Sequence, residues 1–292
     1  MKTGKIVTSF LILGTLFVAA KVRDLTPDAT RNVPYPESKL GWKLAVQTST
    51  FRRFTFFESI DKIKACGLSY VEGFTGQEIG GGLAGKTDYH MDKATRDKIL
   101  QMLREKGVKF VAYGVVTPHT EADWRQLFDF GKAMGIETFT AEPDAKDLPL
   151  VSKLCDDYKI NVAIHNHARP SHYWSPDSVL KALNGQSKRM GACADIGHWL
   201  RSGLDPVDCL KKLDGHLVAA HMKDLNEKGN KQAHDVHWGT GAANIAGVIR
   251  ELKKQKFTGV ISAEYEYNRD ETWYDSVPDI TTSREYYIKC VR

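Results

Sequence analysis

The chain has 292 residues, 42% hydrophobic and 26% charged, with a formal net charge of +5. This is ordinary globular composition, with no low-complexity tract and no repeat of solenoid type. The charge excess is small, Lys2 and Lys5 at the extreme N-terminus contribute to it, and no long basic run follows, so nucleic acid is excluded as the expected partner.

In chain order, Lys2 and Lys5 form a basic n-region, residues 6–20 an apolar run, and Val18, Ala19 and Ala20 a small-residue cleavage site. These are the parts of an export signal. The run is shorter than the roughly 20 residues of a comfortable transmembrane helix. Residues 1–20 are therefore expected to be a signal peptide, with no stable membrane insertion after cleavage, rather than an uncleaved anchor. The mature protein is expected to be exported, in a bacterium to the periplasm. Residues 21–41 are polar, carry Pro27, Pro34 and Pro36, and read as a linker or N-terminal arm.

From Lys43 onward a short apolar run followed by a longer amphipathic stretch recurs eight times. The spacing predicts strands at 43–50, 70–75, 109–116, 138–143, 161–167, 190–198, 216–224 and 259–267. It predicts helices at 58–66, 92–106, 123–134, 146–158, 175–183, 206–213, 244–255 and 276–290. Gly67, Gly107 and Gly135 follow three of these helices, where the chain needs a positive φ to stop. The strands are apolar nearly throughout, as in a parallel sheet buried on both faces. The expected fold is α/β, a single-domain (β/α)8 TIM barrel over residues 42–292. An open doubly wound sheet would carry a glycine-rich phosphate loop after the first strand, and Gln47-Thr48-Ser49-Thr50 is not one. The five cysteines are widely spread, with no CxxC, and read as small buried hydrophobes.

The active face of such a barrel is at the C-terminal ends of its strands. There the fourth strand ends in Glu142, the fifth in His165-Asn166-His167, and the sixth in Asp195-Ile196-Gly197-His198. The seventh ends in His221-Met222-Lys223-Asp224 and the eighth in Glu264-Tyr265-Glu266. Ionisable groups at the ends of apolar strands need partners or a metal. Glu142, Asp195, His221 and Glu264, one from each of four strands, have the composition of a site for one divalent ion: Mn, Mg, Co or Zn. The bland alternative is a set of separate salt bridges. His234 and His237, in the long loop of residues 226–243, read as exposed loop histidines, and Trp199, Trp238 and Tyr265 as core before sugar-stacking platforms.

In order and spacing these segments, together with Gly203-Leu204-Asp205-Pro206 and Gly239-Thr240-Gly241, resemble the xylose isomerase-like barrel superfamily, in particular its sugar phosphate isomerase/epimerase group. The resemblance covers about residues 43–290. It implies the same Glu, Asp, His, Glu metal set, a substrate-touching His198, and a basic group at Lys223 that binds substrate oxygens. The segment His165-Asn166-His167 departs from the ketose epimerases of the group. His167 and His165 are placed in the substrate pocket, where they shape it or orient a metal ligand.

The expected chemistry is isomerisation or epimerisation of a keto-sugar or related polyol through an enediolate. Glu142 and Glu264 exchange protons on opposite sides of the reacting carbon. Three alternatives share the fold. A lyase would expel a β-leaving group from a keto-sugar or keto-glycoside. A non-catalytic barrel would only bind sugar. An endonuclease IV-like protein would need three zinc ions and more histidine ligands. The expected partner is a small sugar, and a homo-oligomer is compatible with the sequence.

Overall fold

The computed structural model describes residues 35–266 and 275–292. The candidate signal, most of the candidate arm and Tyr267 lie outside them. Eight parallel strands close into a barrel: β1 (Trp42–Gln47), β2 (Tyr70–Gly73), β5 (Lys109–Val116), β6 (Thr138–Ala141), β7 (Asn161–His165), β8 (Met190–Asp195), β9 (Leu217–Met222) and β10 (Gly259–Ala263). β1 pairs with both β10 and β2, which shuts the cylinder. β3 (Glu78–Gly80) and β4 (Leu83–Lys86) form a separate antiparallel hairpin that the apolar pattern does not predict.

The helices between the strands are α1 (Phe56–Ala65), α2 (Lys93–Lys106), α3 (Glu121–Met134), α4 (Leu148–Tyr158) and α5 (Pro176–Leu183). After β8 come α6 (Ile196–Arg201), α7 (Pro206–Lys212), α8 (Ile245–Lys254) and α9 (Val277–Val291). None of them is long and apolar enough to cross a membrane. α1 begins before the predicted start because Thr55 and Glu58 form a capping box: the Thr55 hydroxyl accepts the Glu58 N–H at 3.3 Å and the Glu58 carboxylate accepts the Thr55 N–H at 2.8 Å. α2 and α3 stop at Gly107 and Gly135, both left-handed with φ of 63° and 74°.

The main core lies between the barrel and its helices. Trp124, Phe128 and Phe130 of α3 are fully buried with Tyr113 of β5 and Phe139 of β6. Phe128 and Phe139 meet edge to face with centroids 5.3 Å apart. Each such side chain stabilises the fold by about 1.5–3 kcal/mol relative to exposure. Gly131 lets the helix come this close, since a Cβ there would lie 2.3 Å from Phe139 Cζ. The last residues of the predicted arm belong to the barrel body: residues 36–40 form a 3-10 turn, Glu37 is buried, and the Tyr35 hydroxyl donates to the Gly67 carbonyl at 2.8 Å.

Several strands end earlier than predicted. β8 is the clearest case. It stops at Asp195, and Ile196 to His198, predicted as strand, form the first turn of α6. Apolar side chains buried on all sides do not distinguish a strand from a buried helix.

A candidate metal centre at the barrel mouth

The polar residues at the mouth are held by the way each strand ends. Asp195 caps α6, its Oδ1 accepting the His198 N–H at 2.8 Å. Asn166 clamps the Asp195 backbone, donating to its carbonyl and accepting its N–H, both at 2.9 Å. Oδ2 of Asp195 is buried, with Lys223 Nζ at 3.2 Å and His165 Nε2 at 3.4 Å.

His221, near the end of β9, is oriented from behind by Glu72 of β2. Its Nε2 lies 3.1 and 3.0 Å from the two Glu72 oxygens. Glu72 also accepts hydrogen bonds from Thr140, at 2.7 Å, and from Ser262. This places a ring proton on Nε2. Nδ1, buried and without a hydrogen bond, faces Asp195 Oδ2 at 3.8 Å and Glu264 Oε2 at 3.4 Å. Glu264, just past β10, accepts Ser49 Oγ on Oε1 at 3.0 Å. Lys223, 1% exposed, sets its Nζ 2.9 Å from Glu264 Oε2, 3.2 Å from Asp195 Oδ2 and 3.0 Å from Glu266 Oε2.

Of the four predicted ligands, Asp195 and His221 converge, together with His165, with one donor atom of each within 4.8 Å of the others, while Glu264 approaches His221 at 3.4 Å and is paired with Lys223. Glu142 sits to one side. Among the described residues its ion-pair partners are His165, whose Nδ1 is 3.1 Å away, and His167. Ser171 Oγ donates to its other oxygen at 3.3 Å. His165, predicted as a pocket residue, stands between Glu142 and the other three, its Nε2 3.4 Å from Asp195 Oδ2. His198 Nε2 lies 3.8 Å from the same oxygen.

Six carboxylates (Glu72, Glu142, Asp195, Asp235, Glu264, Glu266) face two fixed cations here, Lys223 and Arg201. Burial works to raise Asp195, but His198, Lys223 and His165 hold it well below the usual carboxylate range. Burial raises Glu264 as well, and Lys223 and His221 outweigh it. For Glu142, hydrogen bonds from His165 and His167 overcome burial and pull it down. Burial lowers His165, yet its bonds to Asp195 and Glu142 raise it overall. His221 is raised well above its ordinary value, with Cys193 and Glu72 overcoming burial. His198 is lowered well below, by burial and by Lys223 against the pull of Asp195.

The donor set fits a divalent cation. Donor atoms of His165, Asp195 and His221 lie within 4.8 Å of one another, and the six carboxylates outnumber the two fixed cations, of which Lys223 stands 3.2 Å from Asp195 Oδ2.

Asp235 behaves differently. Burial pushes its carboxyl up to about 7, with Lys223 and Arg201 acting against the rise and Glu266 with it. The folded protein therefore holds this proton more tightly than the unfolded chain. Stability is lost as pH rises from the ordinary 3.8 through about 7, by about 4 kcal/mol in the linkage limit. Thermal melts at pH 5 and pH 8 should show a smaller pH difference for Asp235→Asn than for the natural chain. An unchanged difference would remove Asp235 as its source.

A cavity of about 680 Å³ adjoins the centre, lined by His167, Arg169, His198, Arg201, Lys231 and Glu266. The long loop after β9 closes around Asp224, whose carboxylate accepts the N–H groups of Gly239, Gly241 and Ala243 at 2.8, 3.0 and 2.9 Å. The Gly239-Thr240-Gly241 segment thus ties down a loop. His234 is exposed as predicted, and His237 bonds Asp279 at 2.8 Å. Trp199, Trp238 and Tyr265 lie in the core. Sequence reasoning missed Glu72, Ser49 and the clamping role of Asn166. A lone charge inside a buried strand, as in Tyr70-Val71-Glu72-Gly73, is the signal that could have found Glu72.

A closed parallel barrel with a carboxylate–imidazole cluster at the C-terminal ends of its strands defines the class. The xylose isomerase-like TIM barrel family model matches residues 60–284, and the chain belongs to that family. An uncharacterised protein from Parabacteroides distasonis is 36% identical, with a TM-score of 0.69 over 86% of this chain and 99% of the other. A D-tagatose 3-epimerase-like protein is 17% identical (TM-score 0.66, 85% and 97% covered). A probable 3-DHS dehydratase from Bacillus anthracis is 14% identical (TM-score 0.63, 84% and 98%). The IolI protein, solved with a zinc atom, is 15% identical (TM-score 0.67, 85% and 98%). These last three share the fold. An uncharacterised Methanocaldococcus jannaschii protein is 29% identical over 126 residues, which span 42% of its length.

Proposed function

We propose that this protein is a divalent-metal-dependent isomerase or epimerase that removes a proton from the carbon beside the carbonyl of a sugar. The observation that carries this reading is the convergence of donor atoms of His165, Asp195 and His221 within 4.8 Å of one another, with Glu264 Oε2 3.4 Å from His221 Nδ1, next to a sugar-sized cavity. An ion held there (Mn, Mg, Co or Zn) would act as a Lewis acid on the carbonyl and its neighbouring hydroxyl. Family relatives with epimerase and dehydratase names, and one with zinc, support the same class of chemistry.

Glu264, with one oxygen fixed by Ser49, removes the α-proton. His198, held in the neutral form and lining the cavity, hydrogen-bonds an oxygen of the enediolate; Lys223, expected on substrate oxygens, is instead buried on Asp195, Glu264 and Glu266 and offsets the charge from behind them. Glu142 returns the proton through His167, which lines the cavity and is hydrogen-bonded to it. The signal-like pattern of residues 1–20 supports export, and with it an unphosphorylated sugar.

One observation favours elimination as a second reading. His167 is half exposed in the cavity with a carboxylate behind it, an arrangement that can protonate a leaving group as readily as a carbon. Incubating the metal-loaded protein in D₂O with a panel of keto-sugars and keto-glycosides tests both readings. Deuterium at the α-carbon in a product of the substrate's own composition, heavier only by the incorporated deuterium, is the expected result. Release of a second molecule would make the protein a lyase, and absence of exchange across the panel with ligand bound would leave a binding barrel.

A further inference from the structure

We propose that the sugar taken at the barrel mouth carries a carboxylate, and that Arg169, with Lys231 on the same cavity, recognises it. This deepens the proposed function and rests on its reading that a keto-sugar is the substrate.

The two halves of the mouth differ in charge. Around Asp195, carboxylates outnumber fixed cations. In the adjoining cavity of about 680 Å³ the balance reverses: among the described lining residues the fixed charges are Arg169, Arg201 and Lys231 against Glu266. Glu266 is already met by Lys223 Nζ at 3.0 Å and approached by Arg201 at 3.9 Å. Arg201 is engaged as well, its Nε and Nη2 donating to the Ala233 carbonyl at 3.3 and 3.2 Å, with Asp235 Oδ2 at 3.8 Å. Arg169 and Lys231 have no carboxylate partner among the described residues. A sugar bound across both halves would present its hydroxy-ketone to the anionic centre and meet uncompensated positive charge at its other end.

Arg169 is held at two points. Its backbone N–H donates to Ser202 Oγ at 3.1 Å, and that hydroxyl donates to the His198 carbonyl at 2.9 Å, so the loop after β7 is pinned to the helix that carries His198. Its guanidinium lies over the Trp174 ring, with Cζ 3.6 Å from the ring centroid. The guanidinium donates no hydrogen bond among the described residues. Holding a long side chain in one place costs rotamer freedom. Here that cost sets a planar donor fork at a cavity wall with no protein acceptor to fill it. Such a fork matches a carboxylate through two parallel N–H···O bonds, and it gains far less from a neutral hydroxyl. A phosphate, with more charge and three acceptor oxygens, would also call on the donors of Arg201, which Ala233 already occupies.

The test compares sugars that differ only at carbon 6: D-fructose, D-fructuronate and D-fructose 6-phosphate, and the same three forms of D-tagatose. On the metal-loaded full chain, deuterium exchange is read as kcat/KM, and binding is read by tryptophan fluorescence. The carboxylate form should be favoured over the neutral form by roughly 10- to 100-fold. In Arg169→Gln that ratio should fall towards one. Arg169→Lys, which keeps the charge and loses the fork, should fall between, and Lys231→Gln should lower the ratio by a smaller factor. Melting temperatures check the fold of each variant. A neutral form taken as well as the carboxylate overturns the inference and leaves the proposed function standing. Preference for the phosphate ester overturns the carboxylate, and an unchanged ratio in Arg169→Gln overturns the residue. Where no sugar exchanges, it is the proposed chemistry that fails, and the binding ratio still decides this inference. Tighter binding of the carboxylate form that is lost in Arg169→Gln upholds it, and equal or absent binding overturns it.

Discussion

Glu264→Gln should reduce α-carbon deuterium exchange by about a thousandfold, within the span that a positioned proton-transfer group contributes. The glutamine keeps the volume of the side chain and can still accept the Ser49 hydroxyl that the carboxylate accepts at 3.0 Å. It cannot take a proton at neutral pH. It also removes the negative charge that faces Lys223 at 2.9 Å and His221 at 3.4 Å. Exchange should be measured with the ion saturating, so that a fall in metal affinity is not read as a fall in chemistry. Exchange at the natural rate in the saturated variant would take Glu264 out of the proton path and leave Glu142 and His167 as the candidates.

Glu72→Gln should weaken metal binding by about 10- to 100-fold while the barrel stays folded. Glu72 touches neither the cavity nor Asp195, so a loss would have to pass through His221. The carboxylate accepts from His221 Nε2 at 3.0 and 3.1 Å and from Thr140 at 2.7 Å. A glutamine offers one acceptor oxygen where two are used, and its amide would confront the Nε2 proton. The His221 ring would then lose its fixed tautomer, and Nδ1 would no longer be held bare. Titration calorimetry with Zn²⁺ or Co²⁺ measures the effect, with the melting temperature as control. An unchanged affinity would show that His221 needs no partner behind it.

The barrel is legible in the sequence because buried parallel strands read as apolar runs and because helices such as α2 and α3 end on glycines with positive φ. The hairpin of β3 and β4 escapes that reading. Its residues are mostly polar, small or exposed, with three glycines in a row at the turn, so no apolar period marks it. The end of β8 escapes for the opposite reason, since Ile196, Trp199 and Leu200 are buried whichever structure they adopt. At the mouth, residue type and strand end were enough to bring Asp195 and Glu264 each within reach of His221. They were not enough to order Glu142 and His165. Both are polar groups at the ends of neighbouring strands, and which one stands nearer Asp195 depends on side-chain direction, to which a linear pattern is blind. Glu72 is hidden by distance along the chain: it acts on a histidine 149 residues away.

Asp195 serves two structures with one side chain. One oxygen starts the helix that carries His198, and the other looks at the cluster of histidines. A change of charge or position at the centre therefore pulls directly on the first turn of α6, and His198, lining the cavity, rides on that turn. Were the centre to hold an ion, its grip on Asp195 would reach the His198 imidazole through one hydrogen bond of the backbone, with no loop between them.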